Sequence, residues 1–217
     1  MTVQITATST RKTLATVAIA GVLLYVLVDI ALQLLPPHYD PIREAESNLA
    51  VGPFGWIMNL NFLARAITTL CAVGAIHLVG RPSRLRFAGL ILLLFGGAAS
   101  AVIAFYPIDV DVAQPYTVAG AVHIFVATAG FLAALFGVTL VTLWLWLTRL
   151  LGTTILATVF AALAAVGGLW LAVATTATDT IAPETLGLSE RLCLVGILGW
   201  TFVVCAGIRL LPPSPPA

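Results

Sequence analysis

The residues able to do chemistry in this 217-residue chain gather in three polar stretches. HYDPIREAESN supplies His38, Tyr39, Asp40, Glu44, Glu46, Ser47 and Asn48. YPIDVDVAQPYTVAGAVH supplies Asp109, Asp111 and His123, and DTIAPETLGLSER supplies Asp179, Glu184, Glu190 and Arg191. Histidines with carboxylates can hold zinc or another divalent ion that activates a water for hydrolysis. His38, Asp109, His123 and Glu190 are the candidate ligands for such an ion, with Asp109 and His123 the candidate catalytic pair. No HExxH or CxxC spacing selects a metal. The same types fit a polar pocket for a lipid headgroup or small ligand, lined by His38, Tyr39, Asp40, Ser47, Asn61, Asp109, His123, Glu190 and Arg191. The plainest reading leaves the carboxylates solvated in loops and His123 bonded to a neighbouring helix. Haem is disfavoured, because its two axial ligands must face each other at one depth. His77 and His123 fall at opposite ends of their segments, and His38 lies in a loop.

The stretches between these residues are too apolar for a soluble domain. The chain is 60% hydrophobic and 9% charged, with a mean hydropathy of +1.08, where a soluble domain carries roughly 25% charged residues. Six runs are long enough to cross a bilayer as helices, which takes about 20 residues: 13–35, 55–79, 86–105, 118–147, 153–176 and 189–211. None alternates with the period of two that a membrane barrel strand needs. The expected fold is therefore all-α, an integral membrane bundle of six transmembrane helices. Residues 1–12 form a short polar N-terminus, 13–211 the transmembrane domain and 212–217 a proline-rich, disordered tail.

Charge placement orients the bundle. Arg11, Lys12, Arg81, Arg84, Arg86, Arg149 and Arg209 fall on one side of it, and the acidic stretches on the other. Basic residues favour the cytoplasmic side of short loops, so both termini are expected in the cytoplasm and the acidic loops outside. The first apolar run exceeds 20 residues and has no small-residue cleavage site, so it reads as a retained anchor and not a secretion signal. Cys71, Cys193 and Cys205 fall inside spans at uneven spacing and read as small buried hydrophobes. No Gly-rich phosphate loop or polybasic run supports nucleotide or nucleic-acid binding.

Arg65 is the exception within the spans. It follows Trp56, an expected interface anchor, by nine residues, so it lies roughly 13 Å into the apolar layer. A charge there costs at least about 2.5 kcal/mol and needs a partner or a polar interior. Asp29 in the first span is the expected partner, in a buried ion pair that either braces two helices or borders a polar route. Asn61 and Thr68 share the Arg65 face at helical spacing. Trp144 and Trp146, near Arg149, read as interface belt residues, and Trp170 and Trp200 as packing residues. Gly96–Gly97 and Gly167–Gly168 would let helices approach closely.

HYDPIREAESNLAVGPFGWIMNLNFLARA, FYPIDVDVAQPYTVAGAVH and GLSERL, in that order, resemble the DUF998 family of prokaryotic multi-pass membrane proteins. The likeness covers nearly the whole chain. It implies six helices in a prokaryotic plasma membrane and supplies no reaction, the family's function being undefined. The chain reads YPIDVD where the family pattern is closer to FPTD followed by proline, and Asp109 keeps the carboxylate. Three function classes remain: a binding or accessory protein for a lipid headgroup, small ligand or partner protein, a membrane-embedded hydrolase of lipid-like substrates, and a small transporter.

Overall fold

The computed structural model describes residues 2–110, 117–176 and 183–212; Asp111 and Asp179 lie outside them. It contains six long helices: α1 Thr2–Gln33, α2 Gly55–His77, α3 Arg84–Ile103, α4 Val118–Thr148, α5 Thr154–Thr176 and α6 Leu186–Leu210. Each is long and apolar enough to cross a membrane, and there is no strand among the described residues. The expected spans correspond to these helices with shifted ends. α1 starts at Thr2 instead of 13, because TVQITATSTRKT contains no Pro or Gly to stop it. α6 starts at Leu186, three residues before the expected Ser189.

Consecutive helices pack against one another and α1 also packs against α6, so the six close into a ring. α6 is the most deeply buried of the six helices, whereas α5 is the least and turns most of its surface outward. Small residues make these contacts possible. A Cβ on Gly167 would strike the backbone of Cys193, and one on Gly196 the backbone of Ala164, so α5 and α6 touch main chain to main chain. The expected close approach at Gly96 is also present, since a Cβ there would lie 3.1 Å from the Gly130 carbonyl oxygen.

The two ends of the bundle differ. At one end arginines satisfy terminal carbonyls that would otherwise face an apolar environment. Arg11 donates to the Leu211 and Pro212 carbonyls at 2.9 and 3.3 Å, tying α1 to the end of α6. Arg86 donates to the Val79 carbonyl and lies 5.3 Å from the Trp144 ring centroid. That contact corrects the expectation for Trp144, which is 2% exposed and belongs to the core. Trp146 is exposed as expected and donates to Thr158 at 2.7 Å. Trp200 packs inside and donates to Thr142 at 2.8 Å. The opposite, acidic end carries the loop 34–54 with its short 3-10 helix Glu46–Ala50, and a 3-10 turn Pro183–Thr185.

Candidate functional site: a buried ionic cluster beneath a groove

α1 brings Tyr25, Asp29 and Gln33 to its last two turns at spacings of four, so the three share one face. Gln33 donates to Asp29 Oδ2 at 2.6 Å. Tyr25 donates its hydroxyl to Glu46 Oε2 at 3.0 Å, which draws the 3-10 helix down onto the bundle. The Glu46 backbone N–H in turn donates to Glu190 Oε2 of α6 at 2.8 Å. Glu46 is 3% and Glu190 9% exposed. The loop thus has two polar anchors in the bundle, and Leu49 and Ala50 bury beside Met58 and Phe62 to complete the seal.

Arg191 joins the remaining parts. Its guanidinium lies 3.8 Å from Asp29 Oδ1 and donates to the Tyr39 hydroxyl at 2.7 Å. It also donates to the Pro41 and Glu44 carbonyls at 3.0 and 3.3 Å, while the Leu188 N–H donates to the Ile42 carbonyl at 3.0 Å. The start of α6 and the loop 39–44 are therefore one hydrogen-bonded unit. Burial, outweighing the nearby Arg191 charge, pushes the Tyr39 phenol well above its usual range.

The expected Asp29–Arg65 ion pair is not formed: Asp29 faces Arg191. From the observed helix ends, Asp29 lies four residues and Arg65 ten residues from the acidic end, roughly 6 and 15 Å deep at 1.5 Å per residue. Arg191, five residues into α6, sits at roughly 8 Å. Arg65 instead places its guanidinium 5.7 Å from the Tyr25 ring centroid and 5.8 Å from that of Phe131, a cation–π arrangement. Its charge still reaches Glu46. Below it a cavity of about 30 Å³, bordered by Thr68, Thr69 and Thr201, has room for one water. Asn61, on the same face, donates to the Tyr25 carbonyl at 3.1 Å.

The other expected pocket residues separate into two further places. Asp109 closes the α3–α4 hairpin by accepting from the Thr117 N–H and hydroxyl at 2.8 and 2.9 Å. His123, 1% exposed, donates from Nδ1 to the Tyr106 carbonyl at 2.6 Å, and its Nε2 is buried without a hydrogen-bond partner. His38 lies in the loop wall of a groove, Asp40 accepts from the Ile42 N–H at 2.9 Å, and Ser47 is buried. His38, Asp109, His123 and Glu190 consequently do not converge. Among the described residues no group of three or more His, Cys, Asp or Glu side chains could hold a metal ion. The reason is local: Asp109 and His123 are each engaged by the backbone of their own hairpin, and Glu190 by Glu46.

The groove has a volume of about 230 Å³. Its wall is Leu32 at the end of α1, the loop residues Leu35, His38, Tyr39, Glu44 and Asn48, and Phe54 beside α2, with Val110 reaching in from the next hairpin. Tyr39 is shared between the groove and the ionic cluster. Sequence reading missed Tyr25 and Gln33 and placed Glu46 only as a loop carboxylate. The 25, 29, 33 spacing of polar groups in an apolar run was the available signal.

Six apolar helices closed into a ring, with an ionic cluster sealed under the loops of one end, define a multi-pass membrane protein. Residues 19–207 match the model of the family described as "Protein of unknown function (DUF998)", and the chain belongs to that family. No curated protein and no solved structure matches it.

Proposed function

We propose that this protein is a binding protein of the prokaryotic plasma membrane that takes an amine-bearing lipid headgroup in the groove at its acidic, outward end. The observation that carries this reading is the character of the groove lining. Among the described residues it combines apolar walls with one carboxylate, Glu44, and contains no lysine or arginine. Such a lining favours a cationic amine over a bare phosphate, by Coulomb attraction in a site partly screened from water. Val51 of the lining, at 41% exposure, and Leu34, at 81% and next in the chain to the lining residue Leu35, suit contact with acyl chains. The volume suits a headgroup and leaves the chains outside.

Native mass spectrometry of protein released from nanodiscs tests the proposal. Phosphatidylethanolamine should remain bound in preference to phosphatidylglycerol. Val51→Trp, which fills the groove from a half-exposed position, should weaken retention about tenfold, the effect of about 1.4 kcal/mol. Equal retention of both lipids, unaltered by Val51→Trp, would retire the reading.

A further inference from the structure

Three carboxylates, Asp29, Glu46 and Glu190, share the sealed cluster with two guanidiniums, Arg65 and Arg191. With every group ionised, the cluster carries one uncompensated negative charge in a place where such a charge is strongly disfavoured. The local geometry shows where compensation is needed. Asp29 stands one turn beyond Tyr25 on the same face of α1, next to the Glu46 carboxyl that the Tyr25 hydroxyl holds, and Asp29 Oδ1 is buried and accepts no hydrogen bond. Two ionised carboxylates have no hydrogen to share, and a single proton between them supplies it.

We propose that one proton, held by Glu46 and donated to Asp29, clamps the Glu46–Ala50 segment onto the bundle, and that its release to the outer solution frees this wall of the groove. Tyr25 occupies Glu46 Oε2, so the proton belongs on the other carboxyl oxygen. The helices packed against the segment are α1, α2 and α6. The titratable and charged groups they turn toward Glu46 are Tyr25 and Asp29 from α1, Arg65 from α2, and Glu190 and Arg191 from α6, with Tyr39 from the preceding loop. Burial first, then the charges of Asp29 and Glu190, push the Glu46 carboxyl up to about 8 against the opposing pull of Arg65 and the Tyr25 hydroxyl.

The sign follows from linkage. The docked segment holds a proton that the freed segment, with an ordinary carboxyl near 4.5, gives up. Docking is therefore fully favoured below the ordinary value, weakens as pH rises between it and about 8, and is lost no further above that. One proton makes this as steep as about tenfold in the docking equilibrium per pH unit inside the window. Asn48 and Leu49 belong to the segment and line the groove, so pH would gate the binding site proposed above. The switch itself does not depend on what that site binds.

Two measurements on delipidated, detergent-purified full-length protein test the switch without any ligand. The first is the infrared carbonyl band of a protonated carboxylic acid, followed while pH is raised from about 6 to about 9. The band should disappear through about 8 in the native protein and be missing in Glu46→Gln. A native protein without such a band overturns the proposal, even if Glu46→Gln fails to fold. The second is maleimide labelling of Ser47→Cys, buried at 7%, relative to Leu34→Cys, exposed at 81%, which cancels the general rise in thiol reactivity with pH. The ratio should rise with pH with Glu46 in place. With Glu46→Gln, whose amide can donate to Asp29 at any pH, it should stay low. A flat ratio in the native background, or a rise that survives Glu46→Gln, overturns the proposal.

Discussion

Arg191 holds a position that neither its sequence neighbourhood nor its charge alone would assign. It compensates Asp29, supports the Tyr39 hydroxyl and ties down two loop carbonyls. Removing it leaves a surplus of negative charge and unsatisfied acceptors together. Arg191→Met is expected to destabilise the protein by roughly 3 kcal/mol, the range for breaking a buried pair, read from thermal unfolding in detergent. Adding Asp29→Asn should restore part of that loss, since it removes one of three carboxylates. A double variant with the full sum of the two single losses would show that the charges do not compensate each other. Arg65 behaves differently, because its near contacts are aromatic faces and its charge acts on Glu46 and Glu190 only at longer range. Arg65→Met should be milder than Arg191→Met in the same assay, at about 1–2 kcal/mol for a desolvated cation–π contact.

At the level of elements, the fold depends on how closely α5 and α6 approach. Gly196 faces the Ala164 backbone with no space for even a methyl group. Gly196→Ala should therefore force the two helices apart and cost about 1–3 kcal/mol, as overpacking does. Gly152, whose added Cβ would meet nothing within 4 Å, provides the control, and Gly152→Ala should leave the unfolding midpoint unchanged. Equal effects from both would mean that the close crossing does not limit stability. The start of α6 is constrained from another side. A Cβ on Gly187 would meet the Pro41 and Glu44 carbonyls, so the small residue there lets the first loop lie against α6 and deliver Glu46 to its site.

For the molecule as a whole, the separation of basic and acidic ends predicts one orientation in the membrane. Cysteine substituted for Arg43, in the acidic-end loop and 64% exposed at its side chain, should react with a membrane-impermeant maleimide added to intact cells. Cysteine at Arg81, in the connection between α2 and α3, should react only after the membrane is opened. The reverse pattern would place the groove on the cytoplasmic side and send the proton of the Glu46 switch there too. The native Cys193 and Cys205 are buried and Cys71 half-buried, so they add little background.

Composition and periodicity alone determined the membrane class, the six helices and the partition of charge between the ends, because the cost of exposing polar groups to lipid acts on every residue of a span. The polar stretches that supply the site were equally visible, since charge in an apolar chain stands out one residue at a time. The partners were not. Asp29 was expected opposite Arg65, and its pairing with Arg191 instead came from the closing of α6 against α1 and from a depth difference of several ångströms. Asp109 and His123 looked like site residues and serve their own hairpin: Asp109 caps the Thr117 N–H and hydroxyl, and the buried His123 takes the Tyr106 carbonyl as its partner. Glu46, a loop carboxylate by sequence, became buried and proton-linked only when the loop folded down over Tyr25. Pairing and burial are properties of packing between distant segments, and only the tertiary structure decided them.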